Sequence, residues 1–418
     1  MKLELNRLEF LKAWQMAERS SSAKSALAAA GGILVTAGEE TVLEATDFKT
    51  AIRCTAPGAQ TITPGSAVLP VRLLGDFLKR IPTETATLEV TGGRGVLSAG
   101  RNRTRFTTPP VEEFPNIPRS EGAEALCGVL IPDLSRVIAE GSIASSTPAD
   151  FPKYMGTCLF KVSGGALKMV STDSKRLSLS QCPCTAEADE ELLLPIPALR
   201  ELSRLLSNSD QEAQARVLHD GATVWFLLPG VEFSIRRVES SFPNYEKILT
   251  SDVMTSLRIR KDELLPALER VDIIASQNAL SRLVVMRLSP GGELRMAARA
   301  PDLGAALEVL DASIEGSPLQ VGFNVGYFQD GLRALDAGEV LIQFNGEEGQ
   351  TRMVQEGMDN FLYMLMPARL SPQDLIEDGD SEGPDSFDPV PGPEPLGGTG
   401  PEGDVPSSPA PDPEDAPF

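Results

Sequence analysis

A chain of 418 residues is long enough for two to four domains with separate cores, and 41% hydrophobic against 23% charged residues is the balance of a soluble globular protein. No apolar run reaches the roughly 18 residues a membrane-spanning helix needs. Five irregularly spaced cysteines and one histidine, His219, exclude a disulfide framework, a His-dependent triad and a multi-histidine metal site.

In chain order, "MKLELNRLEF" opens as an alternating strand and lacks the apolar centre of a signal peptide, so a cytoplasmic protein is expected. A helical pattern follows, "NRLEFLKAWQMAER" from about Leu8. A Thr-Asp corner then appears in "LEATDFKTAI" at Asp47, a second helix in "LPVRLLGDFLKRI" from Pro70, and Phe114-Pro115-Asn116. The order then starts again. "PDLSRVIAEG" reads as a helix near Leu134. "ALKMV" and "STDSKRLSLS" form a β-hairpin, because Leu177 and Leu179 alternate with Ser178 and Ser180 around turn formers that include Asp173. "LPIPALRELSRLL" is a helix from Pro195, and Phe242-Pro243-Asn244 closes the block. A third pass gives "KDELLPALERVDII" near Leu264, Asp302 in "MAARAPDLGAAL", and "FNVGYFQDGLRAL" from Asn324. Pro or Asn before each second helix suits an N-cap or first turn.

These landmarks keep one spacing. The acidic corners fall at Asp47, Asp173 and Asp302, and the first helices near Leu8, Leu134 and Leu264. The second helices start at Pro70, Pro195 and Asn324, and the Phe-Pro-Asn triplets at Phe114 and Phe242. Every interval has nearly the same length. The chain is three copies of one unit of about 125 residues, an ordinary domain size. Two helices about 60 residues apart and few wholly apolar strands predict an α+β unit, two helices packed on antiparallel sheets. The expected domains are 1–121, 122–250 and 251–370, followed by a tail over 371–418. That tail holds 12 Pro, 7 Gly, 13 Asp and Glu and no Lys or Arg, so it is expected to be disordered. It also carries more than half of the net charge of −21, leaving −8 on Met1–Leu370.

Three α+β repeats, "ATD" in the first, "TDSKRLSLS" and "FPNYEKI" in the second, "GFNVGYF" in the third and "MPARL" at the end resemble the bacterial DNA polymerase III beta subunit, the sliding clamp of replication. The resemblance covers everything but the tail. It implies a head-to-tail homodimer closing into a ring of six domains, with helices lining the hole. Such a ring holds double-stranded DNA by enclosure, without reading sequence. Diffuse phosphate contact then suffices, and a negative exterior keeps DNA off the outside. No catalysis, cofactor, metal or membrane is implied. The implied partners are the replicative polymerase catalytic subunit, the clamp loader, translesion polymerases and mismatch-repair proteins.

Carried over by the resemblance, Lys24, Arg72, Lys153 and Tyr154 occupy DNA-contacting positions. Tyr154 reads equally as a half-buried surface aromatic. The helix patterns put Arg200 and Arg204 on one face, opposite Leu199, Leu202, Leu205 and Leu206. Arg72 and Lys79 are expected opposite Leu73, Leu74, Phe77 and Leu78. Ordinary solvated faces would look the same, and Asp76, Glu201 and Asp330 make the lining mixed. The implied peptide pocket has Met155, Thr172, Leu177, Pro243 and Ile248 on the second domain. Asn324, Tyr327, Met364, Leu365, Met366, Pro367, Arg369 and Leu370 come from the third, and Arg176 fixes polar atoms of an extended peptide. Without the resemblance, Met364–Met366 would be a last core strand. Ser174 and Lys175 stand where the family has Gly-His, Lys247 where arginine is common, and Ala368 where a bulkier residue is common. Edge-strand residues Arg101–Thr107, with Phe106, and helix residues Ile273 and Ile274 match the dimer interface; intradomain core is the other reading.

Rival readings stay open at this point. Cys182 and Cys184 form a lone C-P-C without the four ligands of a closed zinc site, so reduced, buried thiols are expected. The glycine-rich "TGGRG" and the acidic "EDGD" lack the strand–loop–helix context of a phosphate or metal enzyme. A clamp-like interaction scaffold that no longer encircles DNA is the alternative function. Gln373, Leu375 and Ile376 in the tail loosely resemble a clamp-binding peptide, and the tail's charge suits a competitor for a basic hole.

Overall fold

The same order of elements runs three times through the chain. The computed structural model describes residues 1–21, 28–146, 152–249, 252–277, 281–300, 303–355 and 357–376. Its helices are α1 (Arg7–Glu18) and α2 (Val71–Arg80) in the first unit, α3 (Ile131–Gly141) and α4 (Ile196–Leu206) in the second, and α5 (Lys261–Ala275) and α6 (Val325–Ala334) in the third. The two helices of each unit pack on each other. Asn6 and Asn324 cap α1 and α6 by accepting from Glu9 N and Tyr327 N. Pro70 and Pro195 occupy the equivalent position before α2 and α4 without a side-chain bond.

Each unit contributes a five-stranded half-sheet and a four-stranded half-sheet, all antiparallel. The first unit's four-stranded half ends on Thr50–Thr55, which pairs with Val231–Arg236, the last strand of the second unit's five-stranded half. The second unit's four-stranded half ends on Arg176–Pro183, which pairs with Met358–Leu365, the last strand of the third unit's five-stranded half. Each junction is therefore one continuous nine-stranded sheet. Two halves remain open: the first unit's five strands, ending on Asn102–Thr107, and the third unit's four, ending on Gly304–Asp311.

Alternation along the strands buries one face of every sheet against the helices. One core runs through the first and second units, around Trp14, Phe10, Phe160, Phe226 and Phe233. A second fills the third unit around Phe323, Phe328, Phe344 and Tyr363. Glycine is required where α3 and α6 meet their sheets: a Cβ on Gly141 would lie 2.4 Å from Met169 Cβ, and one on Gly331 2.3 Å from the Tyr363 ring. Two smaller apolar clusters lie on the opposite, outer faces. One joins Leu159, Val170, Leu177, Leu193, Tyr245 and Met364. The other joins Val285, Ala297 and Ile376.

The second cluster corrects the expected tail boundary. Ser371–Ile376 is folded onto the third unit, with a 3-10 turn at Pro372–Asp374 and Ile376 only 2% exposed. A single apolar residue with a matching seat offsets the ordering entropy that composition alone made prohibitive. Residues 377–418 lie outside the described residues, as do "EDGD" from Glu377 and the corner at Asp302. The five cysteines are all unpaired, four of them buried. Among the described residues no cluster of His, Cys, Asp or Glu is arranged to hold a metal, and no helix is long and apolar enough to cross a membrane.

Candidate functional site

The hairpin corner at Asp173 explains why Thr-Asp recurs. Thr172 Oγ1 donates to Arg176 O at 2.7 Å and accepts from Ser174 N at 3.2 Å. Asp173 Oδ1 accepts from the backbone N–H of Lys175 and of Arg176, both at 3.0 Å. The first unit builds the same corner from Thr46 and Asp47, whose Oδ1 accepts from Lys49 N at 2.9 Å and Thr50 N at 2.6 Å. Both corners pass through a left-handed residue, Phe48 (φ 69°) and Ser174 (φ 72°). The motif is thus structural in origin. What differs is the next position, Thr50 in the first unit and Arg176 in the second.

Arg176 makes the second corner a site. It sits at the junction with the third unit, where its strand pairs with Met358–Leu365. Its Nε donates to Asp173 Oδ2 at 2.9 Å, and its Nη1 to Asp330 Oδ2 on α6 at 2.7 Å and to Tyr363 Oη at 3.2 Å. The guanidinium lies 4.1 Å from the Tyr327 ring centroid, a cation–π contact. Tyr363 Oη in turn donates to Tyr327 O at 2.9 Å. Burial by itself would lower the Arg176 pKa, but Tyr363, Asp330 and Asp173 override it and hold the guanidinium above its usual value. Burial pushes the Tyr363 phenol up, with Arg176 pulling the other way, and the hydroxyl stays protonated. The group is a fixed cation with a planar fork already oriented, held on the helix-facing side of the strand whose other side carries Leu177.

On the outer face of the same junction lies an apolar cluster, where Leu177 and Met364 are cross-strand neighbours. Tyr154, Phe242 and Leu249 pack against it half-buried, with Tyr154 edge-on to Phe242 at 5.9 Å. Met366 N donates to Lys175 O at 2.8 Å, so the chain leaving the last strand forms a lip beside the corner. Met366 is 51% and Ile248 47% exposed, so apolar surface remains open there. The structure thus brings together Thr172, Ser174, Lys175, Arg176, Leu177, Tyr327, Met364 and Met366 through direct contacts. Asn324 caps α6 at the same end as Tyr327. Met155 lies on the 3-10 turn Lys153–Gly156, Lys247 and Ile248 on the turn Tyr245–Ile248, and Pro243 is exposed just before it. Pro367, Ala368, Arg369 and Leu370 continue the lip, Ala368 bridging to Gly322.

Leu365 is a correction. It is 2% exposed and belongs to the third unit's inner core, because strand alternation turns it away from Met364 and Met366. Asp330 and Tyr363 are what sequence reasoning missed: Asp330 read as a charge among helices, and Tyr363 was not singled out. The sequence carries no signal for them: Asp173 already pairs with Arg176 within the hairpin, and the further partners meet it only once α6 and the last strand are brought together. The tail residues Gln373, Leu375 and Ile376 are likewise not a peptide in this groove, since Ile376 is buried on the third unit's outer sheet. A cavity of about 560 Å³ elsewhere, lined by Glu4, Glu9 and Glu39 of the first unit, shares no residue with the groove.

On the helices, Arg72 and Lys79 are exposed, as are Arg200 and Arg204, opposite the buried stripes. Leu73 departs from expectation at 42% exposed: Val71, Leu74, Gly75 and Leu78 form the buried stripe, and Leu73 flanks it. The lining is mixed, with Asp76 paired to Arg80 at 3.0 Å and Glu201 to Arg204 and Arg19. Lys153 is exposed; Lys24 lies outside the described residues. Ile273 is 65% exposed and Ile274 packs partly on the core. Phe106 lies half-buried over Gly95, whose added Cβ would meet its ring at 2.2 Å, so part of that side chain serves its own sheet.

Fold and junction together define the class: a three-repeat α+β chain with one open sheet edge at each end and partly exposed apolar surface where its second and third units join. Comparison with known proteins gives the same answer. Models of the DNA polymerase III beta subunit match residues 1–118 (N-terminal domain), 131–244 (central domain) and 246–369 (C-terminal domain). The beta sliding clamp of Vibrio cholerae is 27% identical over 375 residues, 88% of this chain and 100% of the relative. That of Synechocystis is 28% identical over 327 residues, 73% of this chain and 83% of the relative. Among solved structures, the sliding clamp of Bacillus subtilis superposes with a TM-score of 0.84 at 21% identity, covering 89% of this chain and 100% of that one. The sliding clamp of Pseudomonas aeruginosa bound to griselimycin gives 0.83 at 24%, covering 88% and 100%. The chain belongs to the DNA polymerase III beta subunit family.

Proposed function

We propose that this family member works as a DNA sliding clamp, a processivity factor that encircles duplex DNA and tethers the replicative polymerase without catalysis of its own. The carrying observation is the strand count at the open ends. Both internal junctions are five-stranded and four-stranded halves fused into nine. The two unpaired halves of one chain are a five ending on Asn102–Thr107 and a four ending on Gly304–Asp311. Pairing the free end of one chain with that of a second repeats the internal junction twice, removes both exposed edges and closes a ring. Phe106, Ile273 and Ile274 lie at those ends.

In such a ring the helices face the hole. Arg72, Lys79, Arg200 and Arg204, with Lys153 and Tyr154, meet the phosphate backbone weakly while enclosure provides retention, and Lys24 is assigned the same role by the resemblance alone. The Arg176 groove takes extended peptides from the polymerase, the clamp loader, translesion polymerases and mismatch-repair proteins. An aliphatic or aromatic side chain lies on Leu177 and Met364, and polar atoms meet Arg176 and the rim. Lys175, Lys247 and Arg369 give that rim a positive sign that favours acidic peptides. The griselimycin complex of the Pseudomonas aeruginosa clamp supports a ligand site on this fold. Replication places the protein in the cytoplasm.

Loading onto nicked circular DNA tests the reading. Protein should remain on circles through gel filtration and be lost when the circle is cut once. Equal retention on circular and linear DNA, or none on either, refutes encirclement.

A further inference from the structure

The groove's lip, Met366–Leu370, is strung between two sheets. Its start is held by Met366 N on Lys175 O at 2.8 Å, and its middle by Ala368 N on Gly322 O at 2.8 Å. Leu370 lies over Gly322, where an added Cβ would come 2.5 Å from Leu370 Cδ2, so the glycine leaves a seat for it. Such a short stretch on one bridge frays readily unless its far end is tied.

That end is tied by the segment that follows. Asp374 Oδ2 accepts from Ser371 N at 2.8 Å and from Ser371 Oγ at 2.6 Å, closing a tight turn. Ile376, 2% exposed, fills a seat formed by Val285 and Ala297 with Leu283, Leu307 and Leu370 around it. Gln320 grips the Ile376 main chain in both senses: its Oε1 accepts from the N–H at 3.0 Å and its Nε2 donates to the carbonyl at 3.1 Å. Arg287 donates to the same carbonyl at 3.2 Å, and Arg299 to Gln373 O at 2.7 Å. Gln320, Gly322 and Asn324 alternate along one face of one strand, so the Ile376 seat, the Leu370 seat and the groove wall form a single row.

We propose that Ser371–Ile376 is a clasp that holds the lip of the peptide groove in its binding-competent form. Ile376 is the pin and Gln320 its positioning residue. The effect on ligand affinity rests on the groove reading given above; the effect on lip order does not.

The test uses the full chain with Ile376→Asp, with Gln320→Ala as a milder second variant and Leu375→Asp, at a neighbour 38% exposed, as control. Hydrogen exchange of the peptide covering Met366–Leu370 and affinity for griselimycin are measured. Ile376→Asp should speed exchange at Ala368 about tenfold or more, Gln320→Ala by less, and Leu375→Asp not at all. Griselimycin Kd should weaken about three- to tenfold with Ile376→Asp, as the competent lip becomes a smaller fraction of the ensemble. Exchange unchanged in both Ile376→Asp and Gln320→Ala overturns the clasp. Faster exchange with unchanged Kd overturns its role in binding. Faster exchange in a chain whose unsubstituted form does not bind griselimycin supports the clasp and overturns the groove reading.

Discussion

Ring closure gives Ile273 a burden out of proportion to its place in one chain. Within the subunit it is a surface residue, 65% exposed on α5, so replacing it should leave folding within about 0.5 kcal/mol. In the proposed ring the same side chain is covered at a subunit junction. Full burial of an isoleucine is worth about 1.5–3 kcal/mol, so its exposed share contributes about 1–2 kcal/mol. Ile273→Asp removes that and buries a carboxylate, adding at least about 2 kcal/mol. The cost is then about 3–4 kcal/mol per junction. A head-to-tail ring has two junctions, so the dimer loses about 6–8 kcal/mol and its Kd rises by roughly 10⁴–10⁶. Sedimentation velocity across a dilution series reads this directly, with Met358→Ala, at another exposed apolar residue, as control. Monomer at micromolar concentration with an unchanged melting temperature is the expected result. A dimer Kd within threefold of the unsubstituted chain would refute closure through this helix.

Further expectations concern the corner and the core. Arg176→Ala strips a buried carboxylate, Asp173, of one partner while two backbone N–H donors remain, so stability should fall by about 2–4 kcal/mol and griselimycin binding should be lost; denaturant midpoints within about 0.5 kcal/mol would sink the network. Ser174→Gly relieves a left-handed backbone at φ 72° at the expense of unfolded-state entropy, for a net gain of about 0.5 kcal/mol, and Phe48→Gly at φ 69° should match it; a loss above about 1 kcal/mol in either would contradict the corner geometry. Burial pushes the Cys54 and Cys182 thiols from 9 up to about 12, and raises Cys127 and Cys158 as well. The unfolded chain therefore releases these protons first. Stability is full below pH 9 and falls toward the folded values, by up to about 1.4 kcal/mol per pH unit for each thiol. Urea midpoints at successive pH values should show this, and Cys158→Ala should flatten the slope; a flat profile to pH 11 would be the contrary result.

The architecture was legible because repetition amplifies weak signals. One Thr-Asp corner is an ordinary turn, but corners, helices and triplets recurring at one spacing leave little freedom for the fold. The groove was legible only by its frame. Thr172, Arg176, Leu177 and Met364 lie on strands whose alternation is visible in the sequence. Leu365 was misplaced because the resemblance ran through a strand whose alternate residues face opposite sides. Asp330 and Tyr363 stayed hidden because their role exists only where α6 and the last strand meet a hairpin far away in sequence. Composition failed at Ile376 for a related reason. Averaged over its whole length the tail lacks apolar surface, but disorder is decided locally. One isoleucine with a matching seat and four main-chain bonds is enough to bind Ser371–Ile376. The same physics governs both ends of the chain: a sheet edge or a strand terminus gains order when something covers its unpaired groups. Here the C-terminal lip is covered in cis by the chain's own extension, whereas the proposed ring covers the edges at Asn102–Thr107 and Gly304–Asp311 with a second copy.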